Sequence, residues 1–274
     1  MSNNFLTNIL KGIIKRCKNV FYNEFEEFGL SFLKVKKLKH QGYNNPGEFT
    51  LKGNLIKFNH PPEILHSLKE IFVDKIYKLK LNNANPFFID CGSNIGLSII
   101  NLKMQYPDAK IICFEPDEKN FELLTENTKG LSNITLENKA ISNKNGEIKF
   151  EMSGTLGSNS LSVNESNNYK TVKTARLKDY LKTHVHFLKI DIEGAEYDVL
   201  MDCKEELINV DNLFLEYHGN FNQNGELNDL LLLFTEKNFN YYIKEADNVY
   251  PTPFFINEKK NFDLQLNIFA FKKN

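Results

Sequence analysis

From residue 86 onward, short unbroken apolar runs alternate with segments whose apolar residues recur at helical spacing. "PFFIDCG" reads as a strand and "NIGLSIINLKMQY" as a helix stopped near Pro107. "AKIICFEPD" is a second strand, "EKNFELLTENTKG" a helix ended at Gly130, and "ITLENKAIS" a third strand. A polar insert follows, in which "GEIKFEMSG" and "NSLSV" predict an antiparallel excursion and "LGSNSLSVNESNNY" a polar connection. "RLKDYLKTH" is a short helix, "VHFLKIDIEG" the fourth strand, "AEYDVLMDCKEEL" its helix and "NLFLEYHG" the fifth strand. After the helix "GELNDLLLLFTEKN", the strands "FNYYIKEAD" and "LQLNIFAFKK" are expected to pair antiparallel at the sheet edge. Strands alternating with helices predict an α/β fold, a largely parallel sheet covered on both faces.

Residues 1–85 have a different grammar and are read as an accessory segment, with the main domain over 86–274. Phe5, Ile9, Ile13, Cys17 and Val20 recur at helical spacing among Lys11, Lys15, Arg16 and Lys18. Such a helix suits a membrane surface or, as the favoured reading, its own domain or a second subunit. "GEFTLKGNLIKFN" predicts a hairpin, and "PEILHSLKEIFVDKIYKL" a helix begun by Pro62 and Glu63. Nothing in the chain reads as a signal peptide or a bilayer span. A formal net charge of -1 gives no global field for nucleic acid. The four cysteines, Cys17, Cys91, Cys113 and Cys203, form no CxxC pair and read as reduced thiols of a cytoplasmic protein.

Candidate chemistry begins where the first strand turns into its helix. A Gly-rich turn there usually holds an anionic or nucleotide-like ligand. The dinucleotide fingerprint is absent, because its third and sixth positions are Asn94 and Leu97, and no Walker loop follows. Asp90, Gly92 and Gly96 instead suit a ligand with an amine and a carboxylate. Glu115, at the end of the second strand, stands where an acidic residue grips ribose hydroxyls. Together these residues point to S-adenosylmethionine.

The chain at this point resembles the FkbM-type methyltransferases. The matching stretches are "EIFVDKIY", "FIDCGSNIGLSII", "CFEPDEKNF", "NKAIS", "LKIDIEGAEYDVL" and "LEYHG", in family order, with "KIDIEGAE" the most specific. The resemblance implies a doubly wound, mostly parallel seven-stranded class I methyltransferase sheet carrying an N-terminal helical and hairpin extension. It implies O-methylation of a hydroxyl, commonly on a sugar of a glycan precursor, or on a polyketide. It places Asp90, Gly92, Asn94 and Gly96 around the methionyl part of the cofactor and Glu115 on the ribose. Pro116 would shape the turn beside the adenine, and Asn138 and Ala140 would lie along the ring.

The reactive end of a ligand in such a sheet faces the strands' carboxyl ends. Lys189, Asp191 and Glu193 are expected to share one side of the fourth strand, where Lys189 and Glu193 could also pair with each other. Methyl transfer to a hydroxyl needs a group that takes its proton. His218 or Asp191 is the expected base, with Asp191, Glu216 and His218 as alternative ligands of an activating cation; no metal is predicted. His184 and His186 read as structural. A nucleic-acid amino-methyltransferase would carry an Asn/Asp-Pro-Pro-aromatic turn where this chain has "DIEG". A non-catalytic binding protein on the same fold is the remaining alternative. The expected partner is therefore a small-molecule or glycan acceptor, with the accessory segment either a cap over the acceptor or a contact with a second copy of the chain.

Overall fold

The computed structural model describes residues 23–151, 169–256 and 260–272. The helix expected over residues 5–20, Cys17 and the "NSLSV" stretch lie outside them. The chain divides into two compact units, Met1–Ile76 and Tyr77–Asn274.

In the first unit, helix α1 (Phe32–His40) starts at Ser31, whose hydroxyl accepts the Lys34 amide. Strands β1 (Gly47–Leu51) and β2 (Asn54–Phe58) form the predicted hairpin, turned by Lys52 and Gly53, both at positive φ. Helix α2 (Pro61–Leu68) is shorter than expected. It widens into a π-type turn over Lys69–Val73, in which the Asp74 amide bonds the Lys69 carbonyl, and left-handed Lys75 ends it.

In the second unit, Tyr77–Leu81 lead in against the main domain. Gln105 bonds the Tyr77 carbonyl and the Leu79 amide, and the Tyr77 ring meets Phe214 edge-on at 4.9 Å. Strand β3 (Phe87–Cys91) runs into helix α3 (Leu97–Gln105), and β4 (Lys110–Phe114) into α4 (Glu118–Thr128). Next come β5 (Ile134–Glu137), β6 (Ala140–Ser142), β7 (Gly146–Glu151) and β8 (Tyr169–Arg176). The expected short helix is one 3-10 turn, Leu177–Tyr180. Strand β9 (Val185–Ile190), α5 (Glu196–Asp202), β10 (Val210–Gly219), α6 (Asn224–Glu236), β11 (Phe239–Glu245) and β12 (Leu264–Lys272) complete the order.

The main sheet has the order β11-β12-β10-β9-β3-β4-β5. It is mixed: β5, β4, β3, β9 and β10 pair in parallel, whereas β12 is antiparallel to both β10 and β11. Alternation along the strands divides its faces. Ile89, Cys91, Leu188, Ile190, Leu213 and Leu215 share one apolar cluster with Val199, Leu200, Leu230 and Phe234 of α5 and α6. Phe88, Phe187 and Phe214 face the other way, toward Tyr106 and Tyr77. This is a doubly wound Rossmann-like sheet.

Two expectations for the insert need correction. "ITLENKAIS" is not one strand, because pairing with β4 ends at Glu137 and β6 joins a second sheet of order β6-β8-β7. The break falls at Asn138, whose side-chain amide donates to the Glu115 carbonyl at 2.8 Å. The partner of β7 is the unforeseen strand β8, paired antiparallel from Gly146↔Thr174 to Glu151↔Tyr169.

Candidate active site

The turn after β3 is built against the end of β4. The amides of Gly92 and Ser93 both donate to the Phe114 carbonyl, and the Gly96 amide to the Ser93 carbonyl. The Asn94 amide donates to Glu115 Oε2 at 2.8 Å. These four amides are therefore engaged within the protein, and a ligand carboxylate would not be met by them. The two glycines are needed for packing. A β-carbon on Gly96 (φ 91°) would stand 2.9 Å from Leu124 Cδ1, so it lets α3 approach α4 closely. One on Gly92 (φ 85°) would collide with the backbone oxygen of Asp191. Asn127 secures the turn from α4 through a 2.9 Å bond to the Ile95 carbonyl.

Glu115 is 5% exposed, and its other oxygen, Oε1, accepts the Asp117 amide at 2.9 Å. Burial pushes its carboxyl up to about 8, against the pull of the Asp117 and Asn94 amides. An ionised carboxylate has about four acceptor positions. Two are taken by amides, and the other two match the two hydroxyls of a ribose diol, so the donor set fits the nucleoside of S-adenosylmethionine. Asn138 is exposed beside Glu115, bonded to its carbonyl and, at 3.3 Å, to that of Pro116. Ala140 is buried at the start of β6.

Asp90 is wholly buried; Ser98 donates to its Oδ2, and its Oδ1 has no hydrogen-bond partner. Lys189 Nζ lies 3.6 Å from that Oδ1, 3.0 Å from Asp191 Oδ2, and donates to the Gly92 carbonyl at 2.7 Å. Burial opposes the charge on Lys189, but Asp191 and Asp90 overcome it and hold the ammonium well above its ordinary range. Lys189 thus clamps the Gly92 turn to the end of β9, with Asp191 as its partner where Glu193 was the expected one.

Past β9, Glu193 (φ 57°) and Gly194 (φ 102°) turn the chain into α5. Glu196, 1% exposed, accepts the Gly194 amide and lies 3.0 Å from His218 Nδ1. His218 Nε2 faces Glu216 at 3.6 Å and Glu193 at 3.9 Å. Burial disfavours the imidazolium, yet Glu196, Glu193 and Glu216 raise His218 to about 10. It carries a proton at neutral pH and in that state is not the base expected of it. Burial lifts Glu193 to about 8, against the attraction of His218. Ligand atoms of Asp191, Glu193 and His218 all lie within 4.8 Å of one another.

Glu196, Ser98 and Asn127 are the site residues that sequence reasoning missed. Glu196 had a signal, standing inside "KIDIEGAE" at the first turn of a helix. His184 and His186 sit at the opposite end of β9, where His184 Nε2 lies 2.8 Å from Asp211 and His186 Nδ1 accepts the Phe87 amide.

The model of the methyltransferase FkbM domain matches residues 90–241, more than half of the chain. The chain belongs to the FkbM methyltransferase family. The match spans the Gly92 turn, Glu115, the Asp191–Glu193 turn and His218. A methyltransferase of Sordaria araneosa, sdnD, is 30% identical over 176 residues, 50% of this chain and 68% of its own. The 2-O-methyltransferase NoeI of Sinorhizobium fredii is 28% identical, over 54% of this chain and 69% of its own. The hexuronic acid methyltransferase AglP of Haloferax volcanii is 29% identical, over 47% of this chain and 55% of its own. This FkbM chain is an S-adenosylmethionine-dependent methyltransferase. Among its described residues no helix is long and apolar enough to cross a membrane.

Proposed function

We propose that the enzyme methylates a sugar hydroxyl in a glycan, sugar nucleotide or surface-polysaccharide precursor. The observation that carries this is the contact of Gly92 with Asp191, which sets a group of carboxylates directly beside the cofactor turn. Two relatives named for a 2-O-methylation and for a hexuronic acid support a sugar acceptor. The thiols of Cys91, Cys113 and Cys203 are free and buried, which suits a reducing, cytoplasmic compartment. The unit Met1–Ile76 lies outside the family match and is assigned an accessory role.

S-adenosylmethionine supplies a methyl group on a sulfonium. Glu115 holds the ribose, and Lys189 fixes the turn against Asp191. Asp191 would take the proton of the acceptor hydroxyl as its oxygen attacks. Glu193 borders the same space, and Glu196 holds the His218 ring in place.

Incubation with methyl-labelled cofactor and a panel of sugar nucleotides and deglycosylated polysaccharides tests the reading. Label is expected on a sugar oxygen. Label found solely on protein, amine or nucleic-acid acceptors would sink it.

A further inference from the structure

The two nitrogens of His218 have different surroundings. Nδ1 is tied to Glu196, a buried carboxylate itself held by the Gly194 amide. Nε2 points at Glu216 and Glu193 from 3.6 Å and 3.9 Å, too far for a hydrogen bond to either. A carboxylate drawn to an imidazolium alone closes to about 2.8 Å. Here Glu193 and Asp191 offer oxygens that lie with a His218 nitrogen within 4.8 Å of one another, and Glu216 stands beside His218. Atoms bound to one cation at about 2.0–2.2 Å lie roughly 3–4.4 Å from each other, so the Asp191, Glu193 and His218 atoms, within 4.8 Å, need close only slightly to share one.

Two further features point to an occupant. The Nδ1–carboxylate contact is the outer bond that metal-binding imidazoles make, since it fixes the ring and leaves Nε2 to coordinate. Asn267, directly opposite Glu216 on β12 and so on its face of the sheet, is 3% exposed and has an Oδ1 without a hydrogen-bond partner. A buried acceptor of this kind calls for a donor such as a cation-bound water.

We propose that Asp191, Glu193 and His218 hold a divalent cation, which takes the place of the His218 Nε2 proton and to which the acceptor hydroxyl binds. The acceptor half rests on the sugar-methylation reading. Two carboxylates and one imidazole suit Mn²⁺. A hydroxyl on such a cation loses its proton more readily to a neighbouring carboxylate as the carbon–oxygen bond forms.

Titration of the full chain with Mn²⁺, followed by calorimetry and by the paramagnetic resonance of the free ion, tests this. One saturable site is expected, weakened at least tenfold in Asp191→Asn and in Glu193→Gln. His184→Ala, at the other histidine–carboxylate group, should leave the site intact. In the wild-type chain Mn²⁺ should broaden the His218 ring signals, a readout that stands even if a variant folds poorly. No saturable binding, a site kept in both acidic variants or lost with His184→Ala, or unbroadened His218 signals would each overturn the proposal. Sugar methylation that proceeds undiminished in chelator, by a chain without a Mn²⁺ site, would remove the cation and leave the methylation reading standing. Bound Mn²⁺ without sugar methylation would do the reverse.

Discussion

The carbonyl oxygen of Asp191 lies 1.8 Å from the place a β-carbon on Gly92 would take, nearer than any non-bonded atoms approach. The glycine joins the cofactor turn to the strand end that carries the acidic group, and its empty side is filled by protein.

Gly92→Ala should therefore act on the fold. The left-handed φ alone costs about 1–2 kcal/mol, and the collision with Asp191 adds to it. Gly53→Ala is the control, since Gly53 is also at positive φ (92°) with nothing within 4 Å. Thermal melts should show a much larger loss for Gly92→Ala, and equal losses would contradict the packing role.

The Glu115 carboxyl, lifted to about 8, links cofactor affinity to pH. Only the ionised form offers both oxygens to a diol, so binding to the protonated form must first expel a proton. Affinity should rise by up to about tenfold per pH unit below 8 and level off above it. Calorimetry in buffers of different ionisation enthalpy should detect the released proton. Glu115→Gln should bind at least ~30-fold more weakly through the lost charge-assisted bonds and show a flatter pH profile. An unchanged affinity would remove Glu115 from the nucleoside site.

Asp191→Asn keeps the shape of the side chain and removes the proton acceptor. Turnover should fall by ~10²–10⁴ while cofactor affinity stays within a few-fold. Near-full turnover would place the base elsewhere.

Glu115, Glu193 and His218 shift in the same direction, so at these three groups the folded chain binds more protons than the unfolded one. Stability then falls as pH rises. The carboxyls act between 4.5 and about 8. The His218 contribution is complete below 6.5 and gone above about 10. Melting temperature should decline through this range, and His218→Gln should flatten the alkaline part. A melting temperature that climbs from neutral to alkaline pH would refute the protonated His218.

The strands that position the site were legible because they are local. "FFIDC" and "VHFLKI" are mostly apolar runs with a charge, Asp90 or Lys189, one residue before the end, and a buried parallel strand has little other use for one. The residues deciding the details act across the chain. Asn138 ends a strand by bonding Glu115, and Glu196 reaches His218 in another element. Neither contact leaves a periodic trace. Strand β8 was missed because Lys170, Thr171 and Lys173 are exposed along it, although Val172 and Ala175 are buried. His218 was read as a base from its residue type, and of the three glutamates that charge it two, Glu193 and Glu196, come from a stretch more than twenty residues upstream.

Strand β12 follows β10 and β11 along the chain yet lies between them. Until it arrives, β11 has no neighbour in the main sheet, and the edge of β10 beside Glu216 and His218 is open. This third of the sheet cannot zip up in the order of the sequence, because its middle member is made after its rim. The step that inserts it joins distant segments, a slow kind of event in folding. The acceptor end of the enzyme is thus assembled late and all at once, whereas the Gly92 turn and its neighbour β4 are separated by a single helix and can form early.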